Sequence, residues 1–130
     1  LVVEGEKTAV AAETRFIGWV AVTSGSAESA GSADWTSLKG RNVVIWPDAD
    51  VAGFRYALKV FIALTGIAAS IRIVPPSVEL MEWVKPGRKA SGGWDLADSP
   101  PSGVDLQSLL TSAVPFGEWI ENIGGPNEMA

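Results

Sequence analysis

The chain has neither cysteine nor histidine in its 130 residues. The first absence excludes a disulfide framework and thiol catalysis. The two together exclude the common zinc sites, which draw on Cys and His ligands. Without histidine, proton transfer near neutral pH falls to carboxylates, lysines or Tyr56, the single tyrosine. No apolar run reaches the roughly 20 residues a membrane-spanning helix needs, so no membrane is expected as a partner. The P-loop signature is missing, which excludes that form of ATPase site. Positive charge is also scarce: ten Lys and Arg stand against fifteen Asp and Glu, a net charge of −5. Such a balance argues against gripping nucleic acid by bulk charge, but it suits a site that concentrates carboxylates around a cation.

What remains is an ordinary globular composition, 47% hydrophobic and 19% charged, of a length that predicts one domain with a real core. The chain opens on "LVVE" without a methionine, and it is expected to be a piece of a longer polypeptide. "LVV", Trp19 to Thr23, "NVVIW" at 42–46 and "SIRIV" at 70–74 read as strands. Glu6 to Phe16 reads as a helix, as does the segment after Gly53, where Phe54, Ala57, Leu58, Phe61 and Leu64 recur at helical spacing. Ser24 to Ala33 reads as a structured loop, and Asp34 as the cap of one helical turn through Leu38. Residues 77–93 read mainly as loop, with a short helical piece around Met81. Asp105 to Ala113 and Phe116 to Ile123 form a helical extension over 104–130. This order predicts an α/β fold: a mostly parallel, Rossmann-like sheet of about four strands flanked by helices.

In such sheets ligands sit outside the carboxyl ends of the strands. Glu4 ends the first strand, and Asp48 and Asp50 follow the third, so all three should open onto one edge. Carboxylates gathered there stay ionised only if a cation neutralises them or a proton is shared. Mg²⁺ prefers oxygen ligands and fills its shell with waters and phosphates, which suits two aspartates one residue apart. The other reading of Asp48 and Asp50 is capping of the helix that follows, whose dipole favours negative charge.

"VVEGEKTA" at 2–9 and "VIWPDADVAGFRYA" at 44–57 resemble the two signature motifs of the Toprim domain. That α/β module is shared by bacterial-type primases, type IA and type II topoisomerases and some nucleases. The matching positions are Glu4-Gly5, Asp48-Ala49-Asp50 and Gly53. "DLAD" at 95–98 is similar to a later stretch in phage and mobile-element primases and primase-helicases. The resemblance spans about residues 2 to 98. It implies a catalytic domain of a DNA primase, with Glu4 as the acid/base residue in nucleotidyl transfer. Asp48 and Asp50, with Asp95 as a third acid, would hold Mg²⁺ or Mn²⁺; Asp98 would be a further acidic partner or a helix cap. It implies single-stranded DNA and nucleoside triphosphates as partners, a zinc ribbon or helicase elsewhere in the parent chain, and the cytoplasm of a bacterial or phage-infected cell. A Toprim-like binding module without activity, or a nuclease or topoisomerase fragment, are the alternatives.

Around these acids, Gly5 and Gly53 are candidates for close phosphate approach. Lys7, at the start of the first helix, either meets phosphate or is solvated. Arg55, one turn past the aspartates, could face phosphate. Trp94 is a candidate for stacking on a base. Lys85, Arg88 and Lys89, in "KPGRK", form the one local basic patch that could track a nucleic-acid backbone.

Overall fold

Along Val43–Trp46 successive side chains face opposite sides of a strand, and both sides are apolar, so the strand can be stable only if both are covered. A computed structural model, which describes residues 1–25, 29–75, 77–87 and 93–122, shows how. Val43 and Ile45 pack with Val2 and Ile73 on one face of a sheet. Val44 and Trp46 pack with Val3 and Val74 on the other.

The elements are β1 (Val2–Val3), α1 (Glu6–Arg15), β2 (Val22–Thr23), β3 (Asn42–Ile45), α2 (Val51–Leu64), β4 (Ser70–Ile73), α3 (Val78–Glu82), α4 (Leu106–Thr111), β5 (Val114–Pro115) and α5 (Phe116–Asn122). They build a five-stranded sheet in the order β2-β1-β3-β4-β5. Neighbours are parallel except β4 and β5, which are antiparallel. Ala12 of α1 and Phe16 just past it join Leu80 of α3 and Leu106 of α4 on one face. The apolar stripe of α2 (Phe54, Ala57, Val60, Leu64) and Phe116 and Trp119 of α5 cover the other. The molecule is therefore an α/β sheet with helices on both faces. Among the described residues no helix is long and apolar enough to cross a membrane.

Two features of the sheet differ from the sequence reading. The sheet has five strands rather than about four, because Val114–Pro115 pairs with Arg72 and Ile73 at an edge. Two residues between helices carry no periodicity to announce a strand, and a proline is tolerated at an edge where its missing N–H is not needed. β2 begins at Val22, so Trp19 precedes it and is only half-buried. The short helix around Met81 is α3, capped by Ser77, whose Oγ accepts the Leu80 N–H at 3.2 Å. The single turn Thr36–Leu38 has Trp35 rather than Asp34 at its N-cap, and Asp34, one residue earlier, accepts from the Thr36 N–H at 3.0 Å.

The strand order positions the site. From β1 the chain crosses to β2 on one side, then returns to place β3 on the other side of β1. The carboxyl ends of β1 and β3 thus flank the point where the winding reverses, the place where open α/β sheets form a crevice.

Candidate functional site

β1 and β3 lie side by side in parallel, Val2 opposite Ile45, with the Trp46 N–H donating to the Val2 carbonyl at 3.0 Å. Glu4 leaves the end of β1, and Asp48 follows the end of β3 at the same edge. Asp48 is half-buried, and its carboxyl is pushed up to about 9. Burial is the largest cause; next comes a hydrogen bond with Glu4, then the charges of Glu4, Asp95 and Asp50. Glu4, Asp50 and Asp95 are therefore each within electrostatic reach of Asp48. A proton lodges on Asp48 and is donated to Glu4 because both carboxylates cannot stay ionised side by side.

Asp50 has a second occupation. It is the N-cap of α2, and its Oδ1 accepts the Gly53 N–H at 2.6 Å. The capping expected as the alternative for this pair is thus real for Asp50, while Asp48 is turned to Glu4. A carboxylate offers about four lone-pair positions, so a cap leaves Asp50 able to accept elsewhere.

Gly53 has a steric task. A Cβ there would collide with the Asp48 carbonyl oxygen and stand 2.9 Å from its carbonyl carbon. The first turn of α2 packs directly on the backbone of Asp48, and only glycine permits it. With its N–H taken by Asp50, Gly53 acts on the acid loop rather than on a phosphate. Gly53→Ala is expected to destabilise the fold by about 1–3 kcal/mol, the usual cost of overpacking, and to displace Asp48. Thermal unfolding checks the first effect and the amide shifts of Asp48–Asp50 the second.

Asp95 reaches the cluster through backbone pairing. Ala49, between the two aspartates, donates to the Trp94 carbonyl at 2.8 Å and accepts from the Gly93 N–H at 3.0 Å. These bonds stitch the segment that carries Asp95 onto the segment that carries Asp48. Asp95 then closes a tight turn: its Oδ1 accepts the Ala97 N–H at 2.7 Å.

Trp94 is the anchor of that stitch. It is 0% exposed, packs on Trp46 with ring centroids 6.4 Å apart, and donates its indole N–H to the Ser99 carbonyl at 2.9 Å. No face is left for a base, so the stacking expected of Trp94 is corrected to a core role. Asp98 is likewise structural. One of its oxygens accepts the Asp95 N–H at 3.0 Å and the other pairs with Lys85 Nζ at 3.6 Å. Lys85 is thereby committed to an acid instead of a nucleic-acid backbone. Arg88 and Lys89 lie outside the described residues.

Gly5 is the N-cap of α1 and has open space where a Cβ would stand, with no side chain capping the helix. Lys7, in the first turn of α1, and Arg55, in α2, are exposed, and neither makes a salt bridge among the described residues.

Two supports were not legible in the sequence as parts of the site. Beneath Glu4, Thr23 Oγ1 donates to the Glu4 carbonyl at 2.6 Å, and the Tyr56 hydroxyl donates to the Val3 carbonyl at 3.2 Å while meeting Ser24 Oγ at 3.0 Å. Thr23 ends β2 and Ser24 follows it, at the same edge, which is the signal that could have found them. Burial pushes the Tyr56 phenol up, and only 2% of the residue is exposed, so it holds the end of β1 and is no nucleophile. Arg15, the second support, binds the Asp95 turn from the far end of α1.

The donor set is all carboxylate, the chemistry of a hard divalent cation. Burial first, and then the neighbouring acids, raise the Asp48 carboxyl, and a cation would relieve the second of these. Among the described residues no three Asp, Glu, His or Cys side chains enclose a metal position by themselves. A Mg²⁺ ion is usually held by one or two carboxylates and completes its shell with water and substrate phosphate. Comparison with protein-family models, with curated proteins and with solved structures gives no match.

Proposed function

We propose that this chain is a Toprim-type, metal-dependent catalytic domain that serves nucleotidyl transfer in primer synthesis by a DNA primase. The observation that carries the reading is the crowding of Glu4, Asp95 and Asp50 around a carboxyl, Asp48, that burial and these neighbours push up to about 9. A fold whose only need is a helix cap has no use for that crowding. Asp48 and Asp50 would hold Mg²⁺ or Mn²⁺, with Asp95 adding charge beside them; when bound, the cation neutralises the acids and the phosphates they face. Glu4 would take the proton of the attacking hydroxyl as that oxygen bonds to the α-phosphorus and the bond to the departing pyrophosphate breaks, and then release it to solvent. The open amino end of α1 at Gly5, with exposed Lys7 nearby, is the place for phosphate oxygens. Template grip falls to other domains of the parent chain, in keeping with the charge of −5.

A Toprim-like binding module without its own activity is the second reading, favoured by the capping role of Asp50 and the ion pair of Asp98 with Lys85. Primer synthesis by the full-length parent on single-stranded DNA, with labelled ribonucleotides and Mg²⁺ or Mn²⁺, separates the two. Labelled primer that disappears on chelation is expected. Its absence, with template binding retained, turns the reading to the binding module.

A further inference from the structure

We infer that Arg15 is a positioning residue that holds Asp95 against Asp48; the inference rests on the proposed metal-binding role of these acids. Arg15 ends α1, where the helix dipole favours a cation. Its Nε donates to the Leu96 carbonyl at 3.0 Å and its Nη2 to the Asp98 carbonyl at 2.9 Å, across more than eighty residues of sequence. The two carbonyls belong to the turn that follows Asp95. Within it, the Asp98 N–H donates to the Asp95 carbonyl at 3.0 Å, and the Asp98 carboxylate accepts the Asp95 N–H at 3.0 Å. The guanidinium grips this closed turn by its backbone, while Ala49 bonds to Gly93 and Trp94 just before it.

The arrangement uses what distinguishes arginine from lysine. Two donors in a rigid fork meet two carbonyls two residues apart, while an ammonium gives a point charge without that geometry. Asp95 makes no hydrogen bond to Asp48 among the described residues and acts on it through charge. Such an effect depends on where the turn is held, and Arg15 holds it. The helix that begins just after Glu4 thus also fixes the turn of the third acid, so α1 joins two parts of the site.

A double-mutant cycle in this chain tests the inference, with Mn²⁺ affinity and amide hydrogen exchange as readouts. Arg15→Gln is expected to weaken Mn²⁺ binding by about tenfold, the lower end of the usual effect of an outer-shell partner. Asp95→Asn should weaken it similarly, and the double variant no more than Asp95→Asn alone. Arg15→Lys should restore part of the loss. Exchange should quicken at Asp95, Ala97 and Asp98 in Arg15→Gln while the amides of α2 keep their protection, which also shows that the variant folds. Wild-type Mn²⁺ affinity in Arg15→Gln, or a loss that adds in full to that of Asp95→Asn, overturns the inference. If the wild type itself binds no Mn²⁺, the metal reading fails and exchange alone decides. Selective loss of protection in the turn then sustains the positioning role, and unchanged protection ends it.

Discussion

Asp48→Asn is expected to raise the melting temperature of the metal-free protein at pH 8 by about 5 °C or more, the shift that one to two kcal/mol produces in a domain of this size. The reason lies in proton linkage. The folded Asp48 carboxyl titrates near 9, against an ordinary value of 3.8, so the folded state keeps a proton that the unfolded chain has released. The stability contributed by protonated Asp48 is complete below 3.8 and drains away as the pH climbs toward 9. An asparagine has the same shape, stays neutral throughout and removes one charge from a crowded site. Its advantage should be negligible near pH 4 and grow steadily to pH 8. Saturating Mg²⁺ or Mn²⁺ should reverse the order, because the cation stabilises only a chain that can bind it. Melting curves of both proteins from pH 4 to 8, with and without Mn²⁺, check both limbs. Equal melting temperatures at every pH would mean that Asp48 carries no strain from its neighbours.

The largest functional losses are expected from Asp50→Asn and Glu4→Gln in the full-length parent: primer synthesis lowered by at least about a hundredfold, the lower end of what a positioned acid/base group contributes. Asp50 makes the more instructive case because it has two roles. Its cap on the Gly53 N–H survives in asparagine, which is as good an N-cap as aspartate. The charge does not survive. Asp50→Asn therefore keeps α2 and loses the cation, whereas Asp50→Ala loses about 1 kcal/mol of capping as well. Glu4→Gln leaves a side chain that can neither take up nor return a proton at neutral pH. Its backbone remains fixed by Thr23 and, through Val3, by Tyr56. Wild-type primer yield from both variants, in folded protein, would make this chain a scaffold. Yield lost only in Asp50→Ala would assign Asp50 to capping alone.

Much of this site could be read from strand ends. The unbroken apolar run at 43–46 marked a strand buried on both faces, and parallel strands bring their carboxyl ends to one edge. Glu4 and Asp48 were placed together by that rule, and their side chains do meet. The part played by Asp95 had no local signal beyond a motif, because it depends on backbone bonds from Gly93 and Trp94 to Ala49, more than forty residues away. Trp94 was misread for the same reason. A tryptophan beside an acid and outside any strand looks available, until the pairing of its own backbone carries it into the core. Arg15 gave no signal at all: a basic residue in the last turn of a helix is common, and its partners are carbonyls that no side-chain pattern reveals. Gly53 was singled out, but for phosphate approach. Its reason lies in the backbone of Asp48, and contact of that kind is a property of packing.

The central proposal is that Asp48 and Asp50, with Asp95 adding charge beside them, hold a divalent cation at the carboxyl edge of the sheet, next to Glu4. Titrating the isotopically labelled chain with Mn²⁺ and following paramagnetic broadening of its amides tests that claim most directly. Broadening should begin at Glu4-Gly5, Asp48–Asp50 and Asp95–Ala97 and reach Arg41 and Ala69, which precede the amino ends of β3 and β4, last. No selective broadening at millimolar Mn²⁺ in the folded protein, or broadening centred on other acids such as Glu118 and Glu121 of α5, would contradict it.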